Sequence, residues 1–131
     1  MNQAIEFHDS TLTGISQKNG TIVLHFDKAY IHQSKGKPGI DNGTGWLQAI
    51  DIELTGAKIN SMLHDFPVDL DDGNIVINNI RSINGLTLPV NVSGEVEMHL
   101  KTVTGEELKI TARHISSIEK SELEYVEEFN V

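Results

Sequence analysis

The chain contains residue types that could bind a metal, but their spacing matches no metal-binding motif. It has six histidines without a His-x-His pair or a His-Glu-x-x-His sequence, namely His8, His25, His32, His64, His99 and His114. A metal site would therefore have to be assembled by folding, for example from His25 and His99 on different strands. Isolated histidines among charged neighbours are usually surface residues, so we predict no metal site and no cofactor.

The acidic stretch between Asp65 and Asn74 has the composition of part of a calcium loop. An EF-hand loop needs oxygen ligands at its first, third and fifth positions, Gly at the sixth and Glu at the twelfth, and Gly73 does not fall in that frame. A hairpin turn at Asp72-Gly73 explains the same residues. We therefore predict a turn over Asp71–Asn74 and no calcium site.

Nucleophilic catalysis has no recognisable motif in this sequence. The chain has no cysteine and no Gly-x-Ser-x-Gly elbow. His8, Asp9 and Ser10 are triad residue types, but adjacent side chains of an extended segment point in opposite directions and cannot converge. We predict no catalytic residue. The competing enzyme hypothesis is a hydrolase that brings together in one cleft two of Asp41, Asp51, Asp65, Asp69, Asp71 and Asp72.

Composition favours one acidic, soluble domain that covers residues 1–131. Ten Lys and Arg stand against 19 Asp and Glu, which gives a net charge of −9. This charge disfavours nucleic acid and anionic membranes as partners and favours a basic protein. No secretory leader and no apolar run long enough to span a membrane are present, and together with the absence of cysteine this predicts a cytoplasmic location.

The clearest structural signal is a β-hairpin over Ser93–Ile115. Apolar and polar residues alternate along both arms, which predicts an antiparallel ribbon with one face on a core. A three-residue turn at Val103–Gly105 would place Thr102 opposite Glu106 and fix the register. The predicted pairs are Leu100 with Leu108, Met98 with Ile110, Val96 with Ala112, Lys101 with Glu107, and Glu95 with Arg113.

The remaining segments also read as strands. Asn19-Gly20 predicts a second hairpin with Ile15 opposite Leu24 and Gln17 opposite Ile22. Trp46 opens a strand that runs to Leu54, and Asn84-Gly85 marks a turn. The regular spacing of strands and turns predicts an all-β, single-domain antiparallel β-sandwich or flattened barrel of about eight to ten strands.

Three segments are less regular. Gln33–Gly45 contains four glycines and a proline and is predicted to be a long loop, whose only cations are Lys35 and Lys37. Ile59–Phe66 has helical spacing, which Pro67 limits to one or two turns. The C-terminal tail is predicted to contain a turn and a short strand, with a single helical turn as the alternative.

The opening residues resemble a known group of proteins. Phe7-His8-Asp9-Ser10-x-Leu12, the hairpin arm Ile22-x-Leu24-x-Phe26 and the later Leu108-x-Ile110 are similar to a family of small, poorly characterised bacterial β-rich proteins, some of which are described as immunity-like. The resemblance implies a β-rich single domain that binds a partner and performs no catalysis. It carries over no catalytic residue.

These observations predict a non-enzymatic protein-binding module of immunity-like type. Acidic charge favours rapid, salt-dependent association with a basic protein. The candidate binding residues are His8, Asp9, Lys35, Lys37, Trp46, Glu124, Glu127 and Glu128. The alternative is a small-ligand or carbohydrate-binding β-sandwich, with the glycine-rich loop as a lid over Trp46.

Overall fold

A computed structural model describes residues 1–131 and contains ten β-strands and no helix. This confirms the predicted all-β architecture and the expected number of strands. The strands are β1 (Asn2–Lys18), β2 (Thr21–Ser34), β3 (Gly43–Thr55), β4 (Lys58–Ser61), β5 (Val68–Ile77), β6 (Ile80–Ile83), β7 (Gly85–Leu88), β8 (Asn91–Thr102), β9 (Glu107–Glu119) and β10 (Glu124–Phe129). The structure contains no helix that is long and apolar enough to cross a membrane.

Six of the strands close into an antiparallel barrel in the order β1-β2-β3-β9-β8-β5. The barrel closes because β3 pairs with β9 on one side and β1 pairs with β5 on the other. The four remaining strands extend this sheet: β10 pairs with the start of β3, β4 with β9, β6 with β5 and β7 with β1. Closure leaves few free strand edges, and β10 carries one of them.

The barrel interior holds a single apolar cluster of 23 buried residues. Each central strand contributes every second residue, as the alternation of side chains across a strand requires. Full burial of one such aliphatic side chain contributes roughly 1.5 to 3 kcal/mol, so the cluster is the main stabilising element of the fold. Representative members from four strands are Leu24, Ile52, Met98 and Ile110.

Both predicted hairpins form with the predicted register. Ile15 pairs with Leu24 and Gln17 with Ile22, and the turn residues Asn19 and Gly20 have φ of 53° and 78°. Four of the five predicted pairs of the central hairpin are present, from Val96–Ala112 to Lys101–Glu107.

The fifth predicted pair, Glu95 with Arg113, is absent from the ladder. A β-bulge at Gly94 places two residues, Gly94 and Glu95, opposite Arg113 alone. Gly94 has φ of 147°, and the Glu95 amide donates instead to the side-chain oxygen of Asn78 at 3.0 Å. Such a bulge interrupts regular pairing and twists the strand.

Three local predictions are wrong. The Asp71–Asn74 segment is not a turn but the middle of β5, and the turn follows at Asn78-Asn79, both of which have positive φ. Ile59–Phe66 contains no helix: its first residues belong to β4, which pairs along β9, and residues 62–66 have no regular structure. The loop predicted over Gln33–Gly45 is shorter, since β2 extends to Ser34 and β3 begins at Gly43. The short C-terminal strand is confirmed as β10.

Candidate functional site

The Phe-His-Asp-Ser segment forms a large bulge in the middle of β1. Ladder pairs flank it on both sides, Glu6–Tyr30 before and Thr11–Lys28 after. The four residues Phe7–Ser10 therefore lie opposite Ala29 alone. Bulges re-aim side chains that a regular strand would send to fixed faces, so this segment can present side chains that the barrel surface otherwise could not.

The four side chains of the bulge divide into two buried anchors and two exposed residues. Phe7 and Ser10 are fully buried, whereas His8 and Asp9 face solvent. The Ser10 hydroxyl donates to the Glu6 carbonyl and accepts a 2.9 Å hydrogen bond from the Tyr30 amide, so it satisfies backbone groups that the interrupted ladder leaves free. The anchors thus hold His8 and Asp9 outward.

Asn84, between β6 and β7, uses all of its polar groups, and two of them accept hydrogen bonds from the bulge. Its amide donates to Gly73 at 2.6 Å, and its carbonyl accepts from the Phe7 amide at 3.2 Å. Its side chain accepts from the His8 amide at 2.8 Å and donates to the Glu6 carboxylate at 3.3 Å. The residue has φ of 54°, a conformation that Asn tolerates better than most residues. Sequence reasoning identified Asn84 only as a turn residue.

His8 lies among acidic groups. Its Nδ1 is 2.9 Å from the carbonyl oxygen of Asp71, and its Nε2 is 3.5 Å from a carboxylate oxygen of Asp9. The hydrogen bond to the Asp71 carbonyl, followed by the charge of Asp9, raises the pKa of His8 above its usual value. The bulge therefore carries an imidazole that binds a proton more readily than a free imidazole does.

We expect Asp9→Asn to lower the pKa of His8, because it removes the nearest negative charge while Asn tolerates the positive φ at this position. NMR titration of the His8 ring in both proteins measures the shift. Since the folded pKa is raised, the associated stabilisation is present below the unfolded pKa and is lost as pH rises through the folded pKa. Glu53→Gln on β3 is the matched control, and an unchanged His8 titration in Asp9→Asn would contradict the assignment.

A cleft of about 440 Å³ lies beside the bulge. The N-terminal part of β1, the loop over residues 35–42 and the β6–β7 segment form its walls. Its lining includes the cations Lys37 and Arg81, the apolar side chains Ile40 and Ile83, and an acid at Glu6. None of the six aspartates of the competing hydrolase hypothesis lines this cleft.

His32 closes the cleft on the barrel side and is tied to Glu6. The Nε2 atom of His32 contacts the Glu6 carboxylate, and only 7% of the His32 side chain is exposed. The Nδ1 atom is buried without a hydrogen-bond partner. A buried N–H without an acceptor is costly, so we assign the proton to Nε2, which donates to Glu6. The rings of Tyr30 and Phe129 pack edge-on against His32, with centroids 5.0 and 4.8 Å away.

The glycine-rich loop forms one wall of the cleft and is held in place by hydrogen bonds. Its ends are joined by the Ser34 hydroxyl, which donates to the Asn42 carbonyl at 2.7 Å. The Lys37 amide donates to the Asp41 carboxylate at 2.6 Å, and the Asn42 side chain accepts from the Val131 amide at 2.8 Å. Lys37 lines the cleft and Lys35 does not. Trp46 also lies outside the lining.

Trp46 instead helps to hold the C-terminal strand. Its ring packs edge-on against Tyr125 of β10 at 5.3 Å, and its Nε1 donates to the Thr44 hydroxyl at 2.8 Å. The Tyr30 hydroxyl donates to Glu127 at 2.6 Å. Burial, followed by this hydrogen bond, raises the pKa of Tyr30. Glu124, Glu127 and Glu128 are all exposed on β10, and Glu128 accepts a hydrogen bond from the Tyr125 hydroxyl at 3.4 Å.

On the outer face of the barrel, Ser16, His25 and Asp51 are hydrogen-bonded in the order of a catalytic triad. Ser16 Oγ is 2.7 Å from His25 Nε2, and His25 Nδ1 is 2.9 Å from Asp51 Oδ1. The side chain of His25 is 37% exposed and that of Asp51 is 17% exposed. The three residues belong to the adjacent strands β1, β2 and β3, in which His25 pairs directly with Asp51.

The other histidines do not assemble a metal site. His25 and His99 have separate partners, since His99 Nε2 lies 3.0 Å from Glu107. No group of three His, Asp or Glu side chains is arranged to hold a metal ion.

Comparison with protein-family models, with curated proteins and with solved structures gives no match for this chain. The resemblance at Phe7–Leu12 therefore stays a prediction, and the candidate sites are defined by their geometry alone.

Proposed function

We propose that this chain is a cytoplasmic, non-enzymatic protein-binding module, of immunity-like type, that associates with a basic protein through β10. The observation that supports the proposal is the character of this strand. It pairs with β3 on one side only, and it carries exposed Tyr125 and Val126 among Glu124, Glu127 and Glu128.

The open edge of β10 can accept a further strand. An extended peptide that adds to such an edge gains main-chain hydrogen bonds, and side-chain contacts supply specificity. Tyr125 is 50% exposed and offers the aromatic surface that is typical of binding hot spots. Its ring is already oriented by Trp46, so less conformational entropy is lost on binding.

The negative charge of β10 favours a basic partner protein. Glutamates on an edge strand disfavour pairing with a second copy of the same acidic strand, because like charges would then face each other. A partner strand rich in Lys or Arg removes this repulsion. The net charge of −9 adds a long-range attraction for such a protein, which raises the association rate at low salt.

The test compares two double variants with the same change in charge. Glu124→Lys with Glu128→Lys alters β10 but leaves Glu127 bonded to Tyr30, whereas Glu95→Lys with Glu97→Lys alters exposed positions on β8. Proteins captured from the source cell are identified, and the dissociation constant of the purified complex is measured at several salt concentrations. We expect a basic protein whose affinity falls roughly tenfold or more, about 1.4 kcal/mol, only in the β10 variant. Equal affinity of the two variants, or capture of no basic protein, would contradict the proposal.

A second candidate function, small-ligand or carbohydrate binding, is favoured by the cleft beside the bulge. Lys37 and Arg81 could pair with an anionic group, and Ile40 and Ile83 could cover an apolar one. Chemical shifts of the Arg81 and Lys37 amides during titration with phosphate and with short-chain carboxylates test this alternative. Trp46 fluorescence is a poor reporter here, because Trp46 lies outside the cleft. Unchanged shifts in the cleft would dismiss this candidate.

A further inference from the structure

We infer that Ser16 is a nucleophilic hydroxyl that accepts an acyl group from activated esters, with His25 as its base and Asp51 as the carboxylate that orients the base. The site is a place of covalent modification on the barrel surface. It is separate from β10 and does not depend on the proposed binding function.

The three side chains are positioned by paired strands. His25 lies opposite Gly14 on one neighbouring strand and opposite Asp51 on the other, and Ser16 is one outward-facing position along from Gly14. Side chains placed on paired strands are held more precisely than those on loops. Because Gly14 has no side chain, the ring of His25 is not covered from that direction, and the nearest atom to a Cβ built there is His25 Cδ2 at 4.0 Å.

The hydrogen-bond order specifies the role of each residue. Asp51 is largely buried, and its Oδ1 accepts from His25 Nδ1 at 2.9 Å, which fixes the proton on Nδ1. The lone pair of Nε2 then faces the Ser16 hydroxyl at 2.7 Å. This is the tautomer that a general base needs in order to take the serine proton.

Acylation of Ser16 consumes one ester and releases one alcohol. Ser16 Oγ forms a bond to the carbonyl carbon of the ester, and its proton moves to His25 Nε2. The carbon–oxygen bond to the leaving group then breaks, and the proton on Nε2 passes to the departing oxygen. The products are an ester on Ser16 and a free alcohol, and no oxidant, metal or other co-reactant is required.

The location of the triad limits the substrates. The three residues lie on the outer face of the sheet and not in the cleft, so binding energy from the rest of the substrate contributes little. We therefore expect reaction with intrinsically reactive acyl donors and stoichiometric modification of Ser16. This is consistent with a protein whose proposed function is binding.

The chain contains its own comparison for the role of the carboxylate. Ser93 Oγ lies 2.7 Å from His114 Nδ1 on the exposed surface, and no carboxylate is bonded to His114. Ser93 and Ser16 therefore share a serine–histidine contact, but they differ in the ring nitrogen that faces the hydroxyl, Nδ1 at Ser93 and Nε2 at Ser16, and in the third member. If the complete triad activates the hydroxyl, acylation must favour Ser16 over Ser93 within the same molecule.

The experiment uses the full chain with p-nitrophenyl acetate as the probe. Intact mass and peptide mapping give the number and position of acetyl groups, and hydroxylamine separates serine esters from lysine amides because it removes only the esters. We expect one ester, at Ser16, that is absent from Ser16→Ala and unchanged in Ser93→Ala. His25→Gln should slow acetylation of Ser16 by about 100-fold or more, as loss of a general base does.

Asp51→Asn separates the orienting role from general folding effects. We expect it to slow acetylation by about tenfold or more, while circular dichroism and thermal unfolding confirm that the variant is folded. The inference would be overturned by equal labelling of Ser16 and Ser93, by no ester at Ser16, or by an unchanged rate in folded His25→Gln.

Discussion

Replacement of Met98 by Asp is expected to destabilise the protein by at least about 4 kcal/mol, a large part of the roughly 5 to 15 kcal/mol that keeps a domain folded. Met98 is 2% exposed, and its neighbours across the two adjacent strands are Ile75 and Ile110. Neither neighbour can donate a hydrogen bond to a carboxylate from its side chain. The variant therefore either buries an unpaired polar group or unfolds.

Urea denaturation followed by circular dichroism measures this loss of stability. Glu97→Gln is the matched control, since Glu97 is the adjacent residue of β8, is exposed and forms no salt bridge. We expect its free energy of unfolding to stay within about 0.5 kcal/mol of the wild type. Similar losses for the two variants would show that the faces of β8 are assigned wrongly.

Phe7→Ala is expected to lower the free energy of unfolding by roughly 3 to 5 kcal/mol, the range for truncation of a buried aromatic residue. Phe7 is fully buried, and its ring lies against Gly73. A Cβ on Gly73 would stand 2.7 Å from Phe7 Cδ2 and from Leu100 Cδ2, so the ring occupies the space that the missing side chain leaves. Truncation would create a cavity between β1, β5 and β8.

His8→Ala serves as the control for the Phe7 variant. His8 is the next residue of the same bulge, but its side chain is exposed and makes one hydrogen bond to the Asp71 carbonyl. We expect a loss below about 1 kcal/mol. If His8→Ala were as destabilising as Phe7→Ala, the division of the bulge into buried anchors and exposed residues would be incorrect.

The sequence was sufficient for features set by local pattern. Alternation along Ser93–Ile115 and a turn at Asn19-Gly20 each determine a register, because a shift by one residue would expose the apolar face. Those registers are confirmed, from Ile15–Leu24 to Leu100–Leu108. The sequence did not reveal how the hairpins close into a barrel, since closure depends on the pairing of strands that are distant along the chain.

Features that depend on tertiary contacts were missed. Asp72-Gly73 has the composition of a turn, yet Gly73 is needed within β5 because Phe7 and Leu100 occupy the space beside it. The bulge was not predicted, since nothing in the sequence shows that Asn84 supplies its hydrogen bonds. In both cases long-range packing overrides the local preference of the residues.

The serine–histidine–aspartate arrangement was only partly predictable. The hairpin register that pairs Ile15 with Leu24 already brings Ser16 diagonally beside His25. Asp51 could not be added, because its register against β2 depends on the length of the intervening loop. The sequence predicted that loop over Gln33–Gly45, whereas it spans only residues 35–42.

The bulge in β1 also determines where the sequence can change in length. The pairs Glu6–Tyr30 and Thr11–Lys28 orient the two halves of the strand independently of each other. Residues between the anchors Phe7 and Ser10 therefore need not alternate between the core face and the solvent face, as residues in the rest of the barrel do. An insertion at His8-Asp9 would enlarge a surface feature, whereas one added residue next to Ile5 would turn a core side chain toward solvent. A chain lengthened by one residue at His8-Asp9 should accordingly keep the barrel around the bulge unchanged.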